Sequence, residues 1–137
     1  MGCLVGIDFG IKRTGLAYTD PNKMIATGLK NLPTNIVISY IQDYFRNEEV
    51  DAFIIGKPTQ KDGTPSELEN NIKNFILELK KCFPNKKIER YDERYTSKMA
   101  KQVIINLGIK KKKRTNKGLV DQISATIILQ SYLDRKK

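Results

Sequence analysis

Acidic residues close several apolar segments of this chain. Asp8 sits near the end of the run Leu4 to Phe9, Asp92 and Glu93 leave a second extended segment in YDERYTS, and Asp121 stands in the first turns of a terminal helical pattern. A carboxylate at the exit of a buried strand needs a partner. Each acid also has an ordinary use: Asp8 can cap the turn amides after Phe9-Gly10, Asp92 can cap the following helix while Glu93 pairs with Arg94, and Asp121 favours a helix dipole. Brought to one edge beside a basic loop, they suit a different task. Cleaving a phosphodiester with water requires an activated nucleophile and stabilisation of charge on the attacking and leaving oxygens. Two Mg²⁺ or Mn²⁺ ions held by carboxylates supply both without histidine. An all-oxygen ligand set favours those ions over zinc or copper.

The chain contains no histidine, which excludes triad hydrolases, Cys-His proteases and histidine-ligated zinc. Its two cysteines, Cys3 and Cys82, are far apart and form neither a CxxC pair nor a zinc knuckle. The net charge is +10, and nine Lys or Arg residues with no acid lie between Arg94 and Val120, so the rest of the chain is nearly balanced. A localised positive field of this kind attracts a polyanion, and nucleic acid is the commonest. The alternative is a solvated lysine loop that only aids solubility.

These residues need a scaffold, and 137 residues with 39% hydrophobic content suffice for one domain, read here as residues 1–137. No apolar run approaches the roughly 20 residues of a membrane span, and the N-terminus lacks a secretory pattern, so a cytoplasmic protein is expected. Leu4 to Phe9 and Thr14 to Thr19 read as a hairpin around Gly10-Ile11-Lys12-Arg13, and Lys23 to Leu32 as a third strand after the turn Asp20-Pro21-Asn22. A helix capped by Thr34 or Asn35 follows, then the continuously apolar strand Asp51 to Gly56. Thr64-Pro65-Ser66-Glu67 forms a capping box that opens a helix ended by Pro84. Lys86 to Asp92 is a fifth strand, a helix runs from about Thr96 to Gly108, and a last one from about Lys117 to Leu133.

The order βββαβαβαα implies an α/β fold: a five-stranded mixed sheet, antiparallel in its first half and parallel in its second, with helices on both faces. The first strand should be central, which places the ends of the first, fourth and fifth strands on one edge, where α/β folds carry their sites. With one strand between them, the backbones at Asp8 and Glu93 would stand roughly 9–10 Å apart. Two cations about 3.5–4 Å apart can span that gap. Ser124, Ala125 and Ile128 share the helical face of Asp121, a stripe suited to close packing on the sheet.

Assembled in this way, the sequence resembles the YqgF family, described as Holliday-junction-resolvase-like proteins and as candidate nucleases for the 16S ribosomal RNA precursor. The likeness rests on GIDFGIKRTGLA, IIGKP with KDGTPSE, YDERYTS, and NKGLVDQISATIILQSYL, and covers essentially the whole chain. It implies an RNase H-like fold similar to RuvC, and a catalytic, metal-binding set of Asp8, Glu93 and Asp121, with Asp92 a substitute for Glu93. RuvC-type resolvases carry an acid at the end of the fourth strand; here that strand ends in Gly56-Lys57-Pro58. The expected nucleic-acid contacts are Lys12, Arg13, Arg94, Lys110, Lys111, Lys112, Lys113, Arg114 and Lys117, with Tyr91 and Tyr95 available to stack on bases or to pack. The reading is a hydrolase that uses Mg²⁺ or Mn²⁺, two ions in this expectation, on ribosomal RNA precursor, with ribosomal particles as partners and the oligomeric state open. Its rivals are a resolvase of branched DNA, a non-catalytic nucleic-acid-binding module, and a phosphotransferase related to actin-like ATPases, for which the chain is short.

Overall fold

The computed structural model describes residues 2–58, 66–93, 96 and 117–136, the last helix being described by backbone alone at 117–122 and 136. Five strands form one sheet: β1 (Cys3–Asp8), β2 (Arg13–Thr19), β3 (Ala26–Pro33), β4 (Val50–Lys57) and β5 (Lys87–Asp92), in the order β3-β2-β1-β4-β5. β1 pairs antiparallel with β2 and β2 with β3, while β1–β4 and β4–β5 are parallel. The mixed α/β sheet with a central first strand is as the sequence implied.

Alternation along the strands divides the core in two. Val5 and Ile7 of β1 and Phe53 and Ile55 of β4 face α1 (Val37–Tyr44) and α2 (Glu69–Cys82), where they meet Val37, Ile41, Ile72, Phe75 and Leu79. Leu4, Ala52, Ile54 and Tyr91 face the last helix, α3 (Lys117–Lys136), and pack on Ala125, Ile128, Leu129 and Leu133. Helices therefore cover both faces, which accounts for the unbroken apolar run of β4. Close packing of α3 depends on Gly6, where a Cβ would lie 2.9 Å from Leu129 Cβ and 3.1 Å from the Ala125 carbonyl. The helix expected from Thr96 to Gly108 lies outside the described residues, Thr96 excepted.

Three boundaries differ from expectation. The third strand begins at Ala26 rather than Lys23, because the Asp20 carboxylate accepts the amides of Met24 and Ile25 and holds a turn in which Lys23 adopts φ 56°. Thr34 does not cap α1. Its hydroxyl donates to the Gly10 carbonyl at 2.6 Å and meets the Thr14 hydroxyl at 2.8 Å, and residues Thr34–Ile36 form a 3-10 turn leading into the helix. α2 starts at Glu69, later than the expected box; Ser66 Oγ accepts the Leu68 amide at 3.2 Å, while Thr64 and Pro65 lie outside the described residues. No helix of the described residues is long and apolar enough to cross a membrane.

Candidate active site

The parallel register brings the ends of β1, β4 and β5 level. Ile7 pairs with Ile55, and Gly56 and Lys57 pair with Tyr91 and Asp92. Asp8 follows Leu4 and Gly6 on the face covered by α3, the face that Gly56 and Tyr91 also share by alternation. Asp92 falls on the opposite parity, with Arg90. Glu93 follows the strand end directly, and its carboxyl is hydrogen-bonded to that of Asp8. Burial pushes the Glu93 carboxyl above its ordinary range; the Asp8 hydrogen bond and the Arg90 charge pull it down, and the Asp92 charge adds to the rise. A carboxyl pair in contact at a sheet edge needs either a shared proton or a cation.

Gly56 makes this contact possible. A Cβ there would lie 2.9 Å from Glu93 Cδ, 3.0 Å from Glu93 Cγ and 2.9 Å from Ile128 Cδ1. The side chain missing from the end of β4 is thus replaced in space by a carboxylate arriving from beyond β5. Gly10 and Thr14 hold the neighbouring turn: Thr14 Oγ1 takes the Gly10 amide at 3.4 Å, the kind of bond that an Asp8 cap would have made.

Arg90 and Glu69 were not singled out from the sequence. The Arg90 guanidinium donates to both Glu69 carboxylate oxygens at 2.9 Å and to the Gly56 carbonyl at 3.1 Å. The fork joins the first turn of α2 to the end of β4, directly behind the Glu93 site. Its hydrogen bond holds the Glu69 carboxyl below the usual carboxylate range. The only available signal was an acid opening one helix and an arginine immediately before YDE, which many surface pairs would match.

The other expected residues divide as follows. α3 passes Leu129 and Ala125 over Gly6 and reaches Ala26 through Gln130, whose side-chain oxygen accepts the Ala26 amide at 2.8 Å. It therefore runs away from the carboxylate edge, and residue 121 falls one turn before Ala125, toward that edge. The Asp121 side chain lies outside the described residues, as does that of Lys117. Among the described residues no three acidic, histidine or cysteine side chains form a metal-holding group. Asp8 and Glu93 supply hard oxygen donors of the type that Mg²⁺ or Mn²⁺ takes, so the donor chemistry fits, with a third ligand required. Lys12 and Arg13 are exposed beside Asp8 and line a cavity of about 490 Å³ with it. Arg94, Tyr95, Lys110, Lys111, Lys112, Lys113 and Arg114 lie outside the described residues. Tyr91 is a packing residue: it is buried, its hydroxyl meets Ser131 Oγ at 2.6 Å, and its ring packs edge-on against Tyr132. It has no free face for a base.

A β3-β2-β1-β4-β5 sheet whose parallel edge gathers carboxylates is the RNase H-like architecture of metal-dependent nucleases and resolvases. Thermus thermophilus RuvC in complex with Holliday junction substrate shares this fold, with a TM-score of 0.58 and 16% identity over 99% of this chain and 96% of that one. The sequence matches the family described as "RuvX: Holliday junction resolvase" over residues 2–135, and the chain belongs to that family, which is also called YqgF. Relatives described as "Putative pre-16S rRNA nuclease" include proteins of Flavobacterium johnsoniae, 48% identical over 98% of this chain and 97% of the relative, and Christiangramia forsetii, 51% identical over 97% and 98%. A Bacteroides fragilis protein of the same description is 47% identical over 100% of this chain and 99% of its own.

Proposed function

We propose that this chain is a divalent-metal-dependent nuclease that matures the 5′ end of the 16S ribosomal RNA precursor, with Asp8, Glu93 and Asp121 as its metal-binding catalytic acids. The contact between the Asp8 and Glu93 carboxyls at the β1–β4–β5 edge carries the reading. The description borne by the relatives supports the substrate. Bound Mg²⁺ or Mn²⁺, two ions in this reading, would supply the activated water and the charge stabilisation. The chain's own part is to hold and orient. Gly56 leaves the space in which Glu93 meets Asp8, Arg90 fixes the β4 end behind it, and Lys12 and Arg13 offer cations to phosphates beside Asp8. Arg94, Lys110 to Arg114 and Lys117 would extend that contact, in a cytoplasmic protein acting on precursor ribosomal particles.

The family's own description favours a second reading, resolution of branched DNA, because metal-bound carboxylates act on the phosphate rather than the sugar. Purified protein with Mg²⁺ or Mn²⁺ is tested on labelled 16S precursor, a four-way DNA junction and single-stranded controls. Cleavage of the precursor that Asp8→Asn abolishes without loss of affinity or fold is expected. Cleavage of the junction alone would establish the resolvase, and binding without cleavage would establish a non-catalytic module.

A further inference from the structure

Ile11 is 64% exposed at the tip of the β1–β2 turn, between the strand that carries Asp8 and the pair Lys12-Arg13. A single exposed apolar residue is ordinary on a protein surface; what distinguishes Ile11 is its position. It stands on the boundary between two cavities. The first, about 490 Å³, is the Asp8 cavity, with Lys12, Arg13 and Leu68 in its walls. The second, about 300 Å³, shares Phe9 and Ile11 with the first and continues along the outer side of α2. Its floor includes the Phe9–Phe75 ring pair, with centroids 5.3 Å apart. The two cavities adjoin at Phe9 and Ile11 and form a channel of two parts that begins at Asp8.

The chemistry changes along this channel. Its basic residues, Lys12 and Arg13, are confined to the Asp8 end. Among the described residues the lining farther on contains no Lys or Arg and instead presents Asn35, Asn71 and Asn74, all exposed, with Glu78 beside them. Asn71 and Asn74 lie three residues apart on α2 and so share one face. Among the described residues no side-chain hydrogen bond engages these three amides. A polyanion backbone would find cations at the first part and none at the second. Uncharged base edges would find the reverse, because an amide offers two donors and an acceptor and matches any base edge. The exposed Ile11 and the partly buried Phe9 supply apolar area against base faces, with Phe75 buried beneath Phe9. A paired A-form helix stacks its base faces and closes its Watson–Crick edges in pairing, whereas an unpaired strand exposes edges and faces together.

We propose that this channel binds the unpaired ribonucleotides adjoining the scissile phosphate, with Lys12 and Arg13 on the phosphates, Ile11 and Phe9 against base faces, and Asn71 and Asn74 on base edges. The inference rests on the nuclease reading for the direction of the strand out of the Asp8 site.

The test uses full-length protein carrying Asp8→Asn, so that binding is read without cleavage, and two labelled RNA hairpins that differ only in an unpaired tail. Asn71→Ala with Asn74→Ala, and separately Ile11→Ala, are introduced into this background. Each should weaken binding of the tailed hairpin, about tenfold for the double asparagine variant, and leave the blunt hairpin unchanged. Melting temperatures should stay near the parent's, because all three residues are exposed. Equal weakening on both hairpins, or none on either, would overturn the channel assignment. Cleavage is followed in parallel with Asp8 restored. A tail-specific loss of affinity without any cleavage would sink the nuclease reading and keep the channel, while cleavage with affinities that ignore the tail would do the opposite.

Discussion

Replacing Gly56 by alanine separates the active-site reading from ordinary packing. The Gly56 backbone is outside the left-handed region, so alanine carries no conformational penalty there. The added methyl, however, would lie 2.9 Å from Glu93 Cδ and 2.9 Å from Ile128 Cδ1. Carbon atoms pack at about 3.5–4.0 Å, so these contacts must open by roughly 0.6 Å or more. The atoms that give way are the ends of two side chains, not backbone. Stability should therefore fall by only about 1–3 kcal/mol, the usual cost of overpacking. Catalysis should suffer more, because a displacement of about 1 Å in an active site can cost about a hundredfold in rate.

The assay is cleavage of precursor RNA at saturating substrate across a Mg²⁺ titration, with thermal melting in parallel. Gly56→Ala should lose about ten- to a hundredfold in rate and require more metal. Adding Ile128→Val removes the Cδ1 atom and one of the two overlaps but leaves Glu93 displaced. The double variant should regain melting temperature without regaining rate. Recovery of both together would show that the defect was packing, and an unchanged rate in the single variant would show that Glu93 does no chemistry at this position.

Glu93→Gln should lower the cleavage rate by more than about a hundredfold, the upper range for residues acting behind a metal ligand, and Asp92→Asn much less; the reverse ranking would move the second ligand to Asp92. The Arg90 hydrogen bonds depress the folded-state pKa of Glu69, so their stabilisation is present above the unfolded value of about 4.3 and is lost as pH falls through the folded one. Glu69→Gln should thus cost about 1–3 kcal/mol at neutral pH, with the denaturation midpoints of variant and parent converging as pH falls below the unfolded value; a constant gap would rule out the ion pair as its source. Replacing Lys111, Lys112 and Lys113 by alanine should flatten the slope of log affinity against log salt by about 2 to 3 units and leave melting unchanged, and an unaltered slope would return the loop to a solvated role.

Hydrophobic periodicity and turn residues made the sheet legible, because β1 and β4 are apolar without interruption and a crossover helix forces parallel strands. The strand and helix starts were less so: the Asp20 turn is longer than it looks, because its carboxylate reaches on to Met24 and Ile25, and Thr34 looks like a cap but its hydroxyl serves Gly10 in the β1–β2 turn, a partner distant in sequence. Tyr91 beside the acids could stack or pack, and only the packing of α3 shows its hydroxyl on Ser131.

The candidate site was legible in part. Asp8 and the YDE segment were visible as acids at strand ends, but the choice between Asp92 and Glu93 depends on which face each reaches, and sequence alone does not say where β5 ends. The strand stops at Asp92, still on the Arg90 parity, and Glu93 turns across the edge to Asp8. The missing acid at the end of β4 looked at first like a defect in the resemblance to resolvases. In the proposed site it has a physical reason: a side chain at residue 56 would occupy the volume that Glu93 fills, so a glycine there leaves room for a carboxylate from beyond β5. A relative that carried an acid at the end of β4 would need a small residue where Glu93 now stands, because the edge has room for one of them.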